Sequence, residues 1–212
     1  MFDEVYKELY QEDLAPGAVM LHGFARPVDT LLLTDLQQVI NLAPFRHMVT
    51  PGGYTMSVAM SNCGTVGWIT DESGYRYEQV DPLSDQNWPP MPESFVRLAT
   101  SAALQAGFSD FVPDACLINR YAPKTRLSLH QDKDEKDFTA PIVSVSLGIS
   151  AIFLFGGFKR SDKLQRLPLI HGDVVVWGGP SRLRYHGILP LKDNEHYLVG
   201  KYRLNLTFRK AG

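Results

Sequence analysis

Along residues 27–42, PVDTLLLTDLQQVINL, the apolar positions Leu32, Leu36, Val39 and Ile40 recur at helical spacing, with Pro27 near the start. That pattern predicts an amphipathic helix. Residues 92–107, PESFVRLATSAALQAG, repeat it with Phe95, Leu98 and Ala102. Pro92 opens this second helix and Gly107 closes it. From residue 111 the period falls to two. DACLINRYAP, RLSLHQD, PIVSVSLG, AIFLFGG, DVVVWGG and YRLNLTFR each read as short strands separated by turn residues. DVVVW is apolar throughout, as a strand buried on both faces is. Strands following strands without intervening helices point to a sandwich or barrel. The expected class is α+β, with helices packed outside a mostly antiparallel β core.

Residues 44–91 break both periods. They are rich in Pro, Gly, Asn and Ser, and carry Tyr54, Trp68, Tyr75, Tyr77 and Trp88. Short strands and long loops are expected here, either as a surface elaboration with core aromatics or as a recognition surface. The length, 212 residues, suits one domain with a sizeable core. A net charge of −2 excludes binding to nucleic acid through bulk charge and leaves local patches. The two cysteines, Cys63 and Cys116, form no CxxC pattern, which argues for reduced thiols and against a zinc knuckle or disulfide scaffold. MFDEVYKELYQEDLAPG at the N-terminus has neither the basic start nor the apolar run of a signal peptide. No apolar stretch reaches the ~18 residues of a membrane span. A cytoplasmic monomer with no membrane association is expected.

The strand faces carry the candidate chemistry. Alternation puts Ser128, His130 and Asp132 on one face of the strand near LSLHQDKDE. An imidazole and a carboxylate thus aim at one point, and a metal would need a third ligand. Of the other histidines, His22, His47 and His196 read as solvated surface residues, and His171 as part of a tight turn before Gly172-Asp173. His186, in RLRYHGILP, sits in an apolar setting that suits either a core histidine or a ligand. On the last strand Arg203, Asn205, Thr207 and Arg209 share a face. Alone, that face fits the solvated side of an edge strand; beside a metal it fits a clamp for a dianion, since arginine offers carboxylates a planar fork. Two histidines and one carboxylate leave coordination positions open, as non-haem Fe(II) oxygenases require.

These segments resemble the AlkB family of Fe(II)/2-oxoglutarate-dependent dioxygenases, and its bacterial DNA-repair members in particular. The likeness lies in PFRHMVTPGGYTMSVAMSNCG, PDACLINRYAP, LSLHQDKDE, APIVSVSLG, HGDVVVWGG, YHGI and RLNLTFR. It implies a double-stranded β-helix, or jelly roll, forming a single catalytic domain over 1–212. Residues 111–212 would be its core and 44–91 a nucleotide-recognition lid. It implies Fe(II) held by His130, Asp132 and His186, and 2-oxoglutarate held by Asn119, Tyr121, Arg203, Asn205 and Arg209. Arg203 would take the distal carboxylate and Arg209 the iron-chelating end. Thr50, Tyr54, Met60, Trp68, Tyr75, Tyr77, Asp134 and Arg160 match substrate-contacting positions. The implied reaction uses O2 to demethylate bases such as 1-methyladenine and 3-methylcytosine in single-stranded or duplex DNA, with RNA a further substrate. Formaldehyde, succinate and CO2 are released. The acidic stretch ITDESG between Trp68 and Tyr75 is unlike a phosphate-facing loop. Alternatives are a sibling dioxygenase acting on RNA, protein or a small molecule, a cupin-like isomerase, and a non-catalytic β-barrel binding module.

Overall fold

The computed structural model describes residues 10–212. Most of the acidic start, read above as lacking a signal peptide's pattern, lies outside the described residues. The chain runs β1 (Gln11–Ala15), β2 (Ala18–Leu21), α1 (Asp29–Leu42), β3 (Ala59–Gly64), β4 (Gly67–Asp71), β5 (Gly74–Glu78), β6 (Val80–Asp81), β7 (Gln86–Asn87) and α2 (Glu93–Gln105). It continues through β8 (Ala115–Tyr121), β9 (Leu127–His130), β10 (Ile142–Gly148), β11 (Ala151–Phe155), β12 (Gln165–Leu169), β13 (Val174–Trp177), β14 (His186–Ile188) and β15 (Arg203–Arg209). Seven strands form the larger sheet, in the order β1-β2-β13-β10-β15-β8-β3. Four form the smaller, β12-β11-β14-β9. The two sheets face each other as a jelly roll.

Two layers of core follow from the strand alternation. Leu204, Leu206 and Phe208 of β15 pack with Leu32, Leu36 and Val39 of α1 and Phe95 and Leu98 of α2. Both helices therefore cover the outer face of the larger sheet, with the stripes that their sequences mark. Between the sheets lie Met20, Met60, Tyr121, Phe153, Phe155, Trp177 and Ile188. The all-apolar β13 serves both layers, with Val174 and Val176 in the first and Val175 and Trp177 in the second. Residue by residue, that is what a strand buried on both faces requires.

The structure departs from the sequence reading in several places. Strands β1 and β2 were not expected; β2 completes the larger sheet beside β13, which would otherwise leave the apolar β13 as an edge. Strand β3, inside the span expected as lid, pairs with β8 along its whole length and so belongs to the core sheet. The lid-like part that remains is the β4–β5 hairpin with its flanking loops. Of the two readings of the β15 polar face, the inward one holds: β15 lies centrally between β10 and β8, and Arg203, Asn205, Thr207 and Arg209 line the cavity between the sheets.

The histidines are a further correction. His22, His171 and His196 are buried, and only His47 is exposed among those expected in solvent or turns. Each buried ring has polar or ring partners that no local pattern announces. His22 meets Glu12 at 2.9 Å. His171 accepts from the Gly148 amide at 3.0 Å and reaches Asp29 at 3.0 Å through its other nitrogen. Its ring stacks on His196 with centroids 4.3 Å apart.

Candidate metal centre and co-substrate pocket

Strands β9 and β14 pair so that His130 stands opposite His186. Gly187 permits this approach, because a Cβ there would meet the Leu127 carbonyl at 2.8 Å. The imidazole of His130 lies against the Ser128 carbonyl at 2.8 Å, and that of His186 against the Arg184 carbonyl at 3.0 Å, each through Nδ1. A carbonyl only accepts, so each Nδ1 carries the proton and each Nε2 keeps its lone pair. Both Nε2 atoms face the same Asp132 oxygen, at 3.5 and 3.7 Å. The three donors lie within 4.8 Å of one another. Burial lowers the His186 pKa to about 4, so its ring is neutral near pH 7.

Asp132 is divided between two tasks. Oδ1 faces the histidines, while Oδ2 accepts from Arg209 Nε at 3.0 Å and Nη2 at 2.7 Å. Burial alone would favour the protonated acid. The Arg209 guanidinium is the chief counterweight and holds the carboxyl well below the usual range. The result is an anionic ligand with a fixed orientation beside two imidazole Nε2 atoms, a set that suits a divalent transition metal with positions left open.

Behind this centre the cross-strand register builds a polar wall. Arg203 lies opposite Tyr121, and Asn205 opposite Asn119, on the β15–β8 pair. Asn205 donates to Ser144 Oγ at 2.9 Å and the Val145 carbonyl at 3.0 Å, and accepts from Asn119 and Thr207. Arg203 is 1% exposed. It donates from Nη2 to Ser146 Oγ at 2.8 Å and lies over the Tyr121 ring, but its Nε and Nη1 have no hydrogen-bond partner among the described residues. A buried guanidinium with an unmet fork is costly, and a carboxylate of matching geometry would satisfy it. The residues present therefore fit 2-oxoglutarate.

The cavity in front of the wall measures about 550 Å³, within the usual range for small-ligand pockets. His130, Asp132, His186, Asn119, Tyr121, Arg203, Asn205 and Arg209 all line it. So do Thr50, Met60, Trp68, Tyr75, Asp134 and Arg160. Tyr54 and Tyr77, the other two expected substrate contacts, are not in the lining. Tyr54 is 77% exposed and shares reciprocal hydrogen bonds with Thr50. The hairpin alternates its faces. Trp68 pairs with Tyr77, and Thr70 with Tyr75, on the aromatic side. On the reverse side Arg76 joins Asp71 and Glu78, which neutralises part of the acidic stretch. Trp68 stacks on Tyr75 and donates from its indole to Asp134 at 2.8 Å.

Glu135 is the residue that the sequence reading missed. It accepts from the Tyr77 hydroxyl at 2.6 Å and from Arg182 at 3.0 Å, and lies 3.3 Å from Arg209. Arg182, also missed, donates to the Asp132 carbonyl at 2.7 Å. Burial pushes the Tyr77 hydroxyl well above its usual pKa, so it donates. Glu135 thereby joins the hairpin to the Arg209–Asp132 pair. Its partners Arg182, Tyr77 and Arg209 lie 47, 58 and 74 positions away in the chain, and DKDE looks locally like a solvated loop. Glu135→Gln is expected to lower stability by about 3 kcal/mol, since two buried arginines lose a charge. Tyr77→Phe should cost about 1.5 kcal/mol. Urea unfolding checks both; unchanged midpoints would remove Glu135 as the junction.

The sequence pattern of the 2OG-Fe(II) oxygenase superfamily matches residues 17–209. The chain is 62% identical over 205 residues to "Alpha-ketoglutarate-dependent dioxygenase AlkB" of Escherichia coli (strain K12), covering 97% of this chain and 95% of that protein. The chain belongs to the AlkB family of alpha-ketoglutarate-dependent dioxygenases. Another relative is "DNA N(6)-methyladenine demethylase ALKBH1C" of Arabidopsis thaliana, 29% identical across 93% of this chain and 49% of that protein. Among solved structures, that of OsALKBH1 superposes with a TM-score of 0.82 at 29% identity, over 95% of this chain and all of the other. Membership in the AlkB family makes the chain an Fe(II)-dependent dioxygenase that uses 2-oxoglutarate (alpha-ketoglutarate) and O2.

Proposed function

We propose that this enzyme oxidatively demethylates N-alkylated bases such as 1-methyladenine and 3-methylcytosine, chiefly in single-stranded DNA and also in RNA. The observation that carries this reading is the pairing of a metal-donor triad with a stacked Trp68–Tyr75 roof over one cavity. A methylated ring nitrogen lies on the base-pairing edge, so the base must leave its stack to reach the centre. An aromatic roof would replace that stacking, at ~1–3 kcal/mol per base. The names of the bacterial and plant relatives support a nucleic-acid substrate.

In this reading His130, Asp132 and His186 hold the iron. Arg203, with Tyr121 and Asn119, binds the distal carboxylate of 2-oxoglutarate. Arg209 and Asn205 border the end nearer the metal. Bound Fe(II), 2-oxoglutarate and O2 together supply the oxidation of the N-methyl carbon, which leaves as formaldehyde while 2-oxoglutarate becomes succinate and CO2. The protein's part is to orient and to exclude. Arg209 keeps Asp132 anionic and turned toward the metal. Trp68 and Tyr75 cover the base, with Met60 beneath; Thr50, Tyr54 and Arg160 reach the strand, and Tyr77 holds Glu135. The β4–β5 hairpin with its flanking loops, inside 44–91, acts as the lid over the β core, all within a single domain. As part of this proposal the enzyme is a cytoplasmic monomer; the two free, buried cysteines support a reducing compartment.

The test is formaldehyde release from methylated oligonucleotides, with and without Fe(II), alongside succinate. Equal amounts of both products, dependent on Fe(II), are expected. Succinate without formaldehyde on every methylated strand would redirect the reading to another substrate class.

Asp134 offers a finer test. Methylation at adenine N1 or cytosine N3 makes the ring cationic near neutral pH. A carboxylate at the cavity wall favours that cation, the more so where water is excluded. Asp134→Asn keeps an oxygen to accept from the Trp68 indole but removes the charge. It is expected to lower kcat/KM about tenfold on 1-methyladenine and much less on neutral 3-methylthymine. An equal loss on the two substrates would make Asp134 a support for Trp68 and nothing more.

A further inference from the structure

Beyond the cavity, the loop after β11 carries an exposed aromatic that no part of the chemistry above uses. Phe158 is 55% exposed, yet it is held firmly. The guanidinium of Arg184 lies 5.3 Å from the Phe158 ring and 5.5 Å from that of Phe155. Arg184 itself is pinned by donating to the Gly156 carbonyl at 2.7 Å and to Ser181 Oγ at 3.1 Å. The loop is closed on itself. The Lys159 amide donates to the Asp162 carboxylate at 3.0 Å, and the Asp162 amide returns to the Lys159 carbonyl at 3.0 Å. The Tyr185 amide donates to the Gly157 carbonyl at 2.9 Å.

A single exposed apolar residue needs no explanation by itself. Three features give Phe158 one. Its inner side is braced by a cation and its outer side is open, which fixes the ring as a ready-made face. Lys159, Arg160 and Lys163 are exposed around it, against one acid, Asp162. Arg160, two residues on, also lines the substrate cavity, as does Tyr185 beside Arg184. An aromatic face set among cations and continuous with a base-binding cavity matches how single-stranded nucleic acid is held: bases stack on rings while the charges follow the phosphates.

We propose that Phe158, braced by Arg184, is a stacking platform for a base next to the alkylated one in the bound strand. The inference rests on the nucleic-acid reading of the cavity. It adds a binding position outside that cavity, whose occupant is any nucleobase, because every base offers a π-face.

The experiment measures binding of a short single-stranded oligonucleotide carrying one 1-methyladenine, by fluorescence anisotropy at fixed salt. Two further strands carry an abasic residue on the 5′ or the 3′ side of the lesion. Wild type, Phe158→Ala, Phe158→Leu and Phe158→Trp are compared, with formaldehyde release by wild type as the reference for the underlying reading. Phe158→Ala and Phe158→Leu should each bind the intact strand about tenfold more weakly, with Phe158→Trp near wild type. An abasic neighbour on one side should weaken wild type by the same factor and leave Phe158→Ala unchanged. The leucine variant keeps an apolar side chain and separates stacking from bulk. If wild type releases formaldehyde but both abasic strands penalise wild type and Phe158→Ala equally, Phe158 is no platform and the cavity reading stands. If wild type releases no formaldehyde from any methylated strand, the cavity reading fails and this inference falls with it.

Discussion

Asp132→Asn is expected to abolish formaldehyde release, by at least a thousandfold, while the protein still folds. Asp132 is the one anionic donor of the triad and is bound on its far oxygen by Arg209. Asparagine keeps the shape and one oxygen but cannot supply a negative ligand. Arg209 then loses a charged partner in a buried setting and retains Glu135 at 3.3 Å. Breaking a buried pair from one side typically costs about 3–5 kcal/mol, and the surviving partner should hold the loss to the low end. Asp132→Ala, which removes both oxygens, should destabilise further. Coupled assays of formaldehyde and succinate, together with urea unfolding, separate the two effects. Near-normal coupled turnover in either variant would mean that the triad is not the metal site.

Arg203→Lys should raise the KM for 2-oxoglutarate roughly ten- to a hundredfold and leave kcat much less affected. The expectation follows from the unmet Nε and Nη1 of a fully buried guanidinium. Lysine keeps the charge but replaces the planar fork with a point donor. Hydrogen bonds to charged groups are worth about 1.5–3 kcal/mol each, and about 1.4 kcal/mol is tenfold in affinity. Arg203→Met gives a readout independent of turnover. Without 2-oxoglutarate it should be as stable as wild type or more so, because an unpaired buried cation has gone. Adding 2-oxoglutarate should then raise the melting temperature of wild type and not of the variant. A full ligand-induced shift in Arg203→Met would assign the clamp elsewhere. Arg209→Lys should behave differently, losing turnover and stability together, because Arg209 serves Asp132 and Glu135 rather than standing free.

The contrast between the two arginines shows where the sequence was readable. Both sit on one face of YRLNLTFR, and period-two alternation put them there together with Asn205 and Thr207. It also put His130 and Asp132 on a common side. Local alternation is a property of the backbone, so a short run of residues suffices to reveal it. The helices were legible for the same reason, through stripes that the structure buries. Whether the polar face of β15 met water or the space between the sheets was not a local question. It depended on the smaller sheet standing over that face while the helices cover the other.

The histidines mark the limit of local reading most plainly. His171 looked like part of a surface turn and is instead stacked on His196 and bonded to Asp29. His186 looked like a core histidine or a ligand, and only its register opposite His130 brings the two rings together. Glu135 was indistinguishable from its acidic neighbours, because burial and its partners come from distant segments. By itself the sequence determined the helices, most of the core strands, the faces of those strands and the residue types of the site, since each depends on periodicity or on side-chain chemistry carried within a few residues. Only the tertiary structure decided which of those faces look inward, which histidines converge, and which acid joins the hairpin to the metal centre. Those depend on contacts between segments far apart in the chain, where burial turns an ordinary charge into a fixed one.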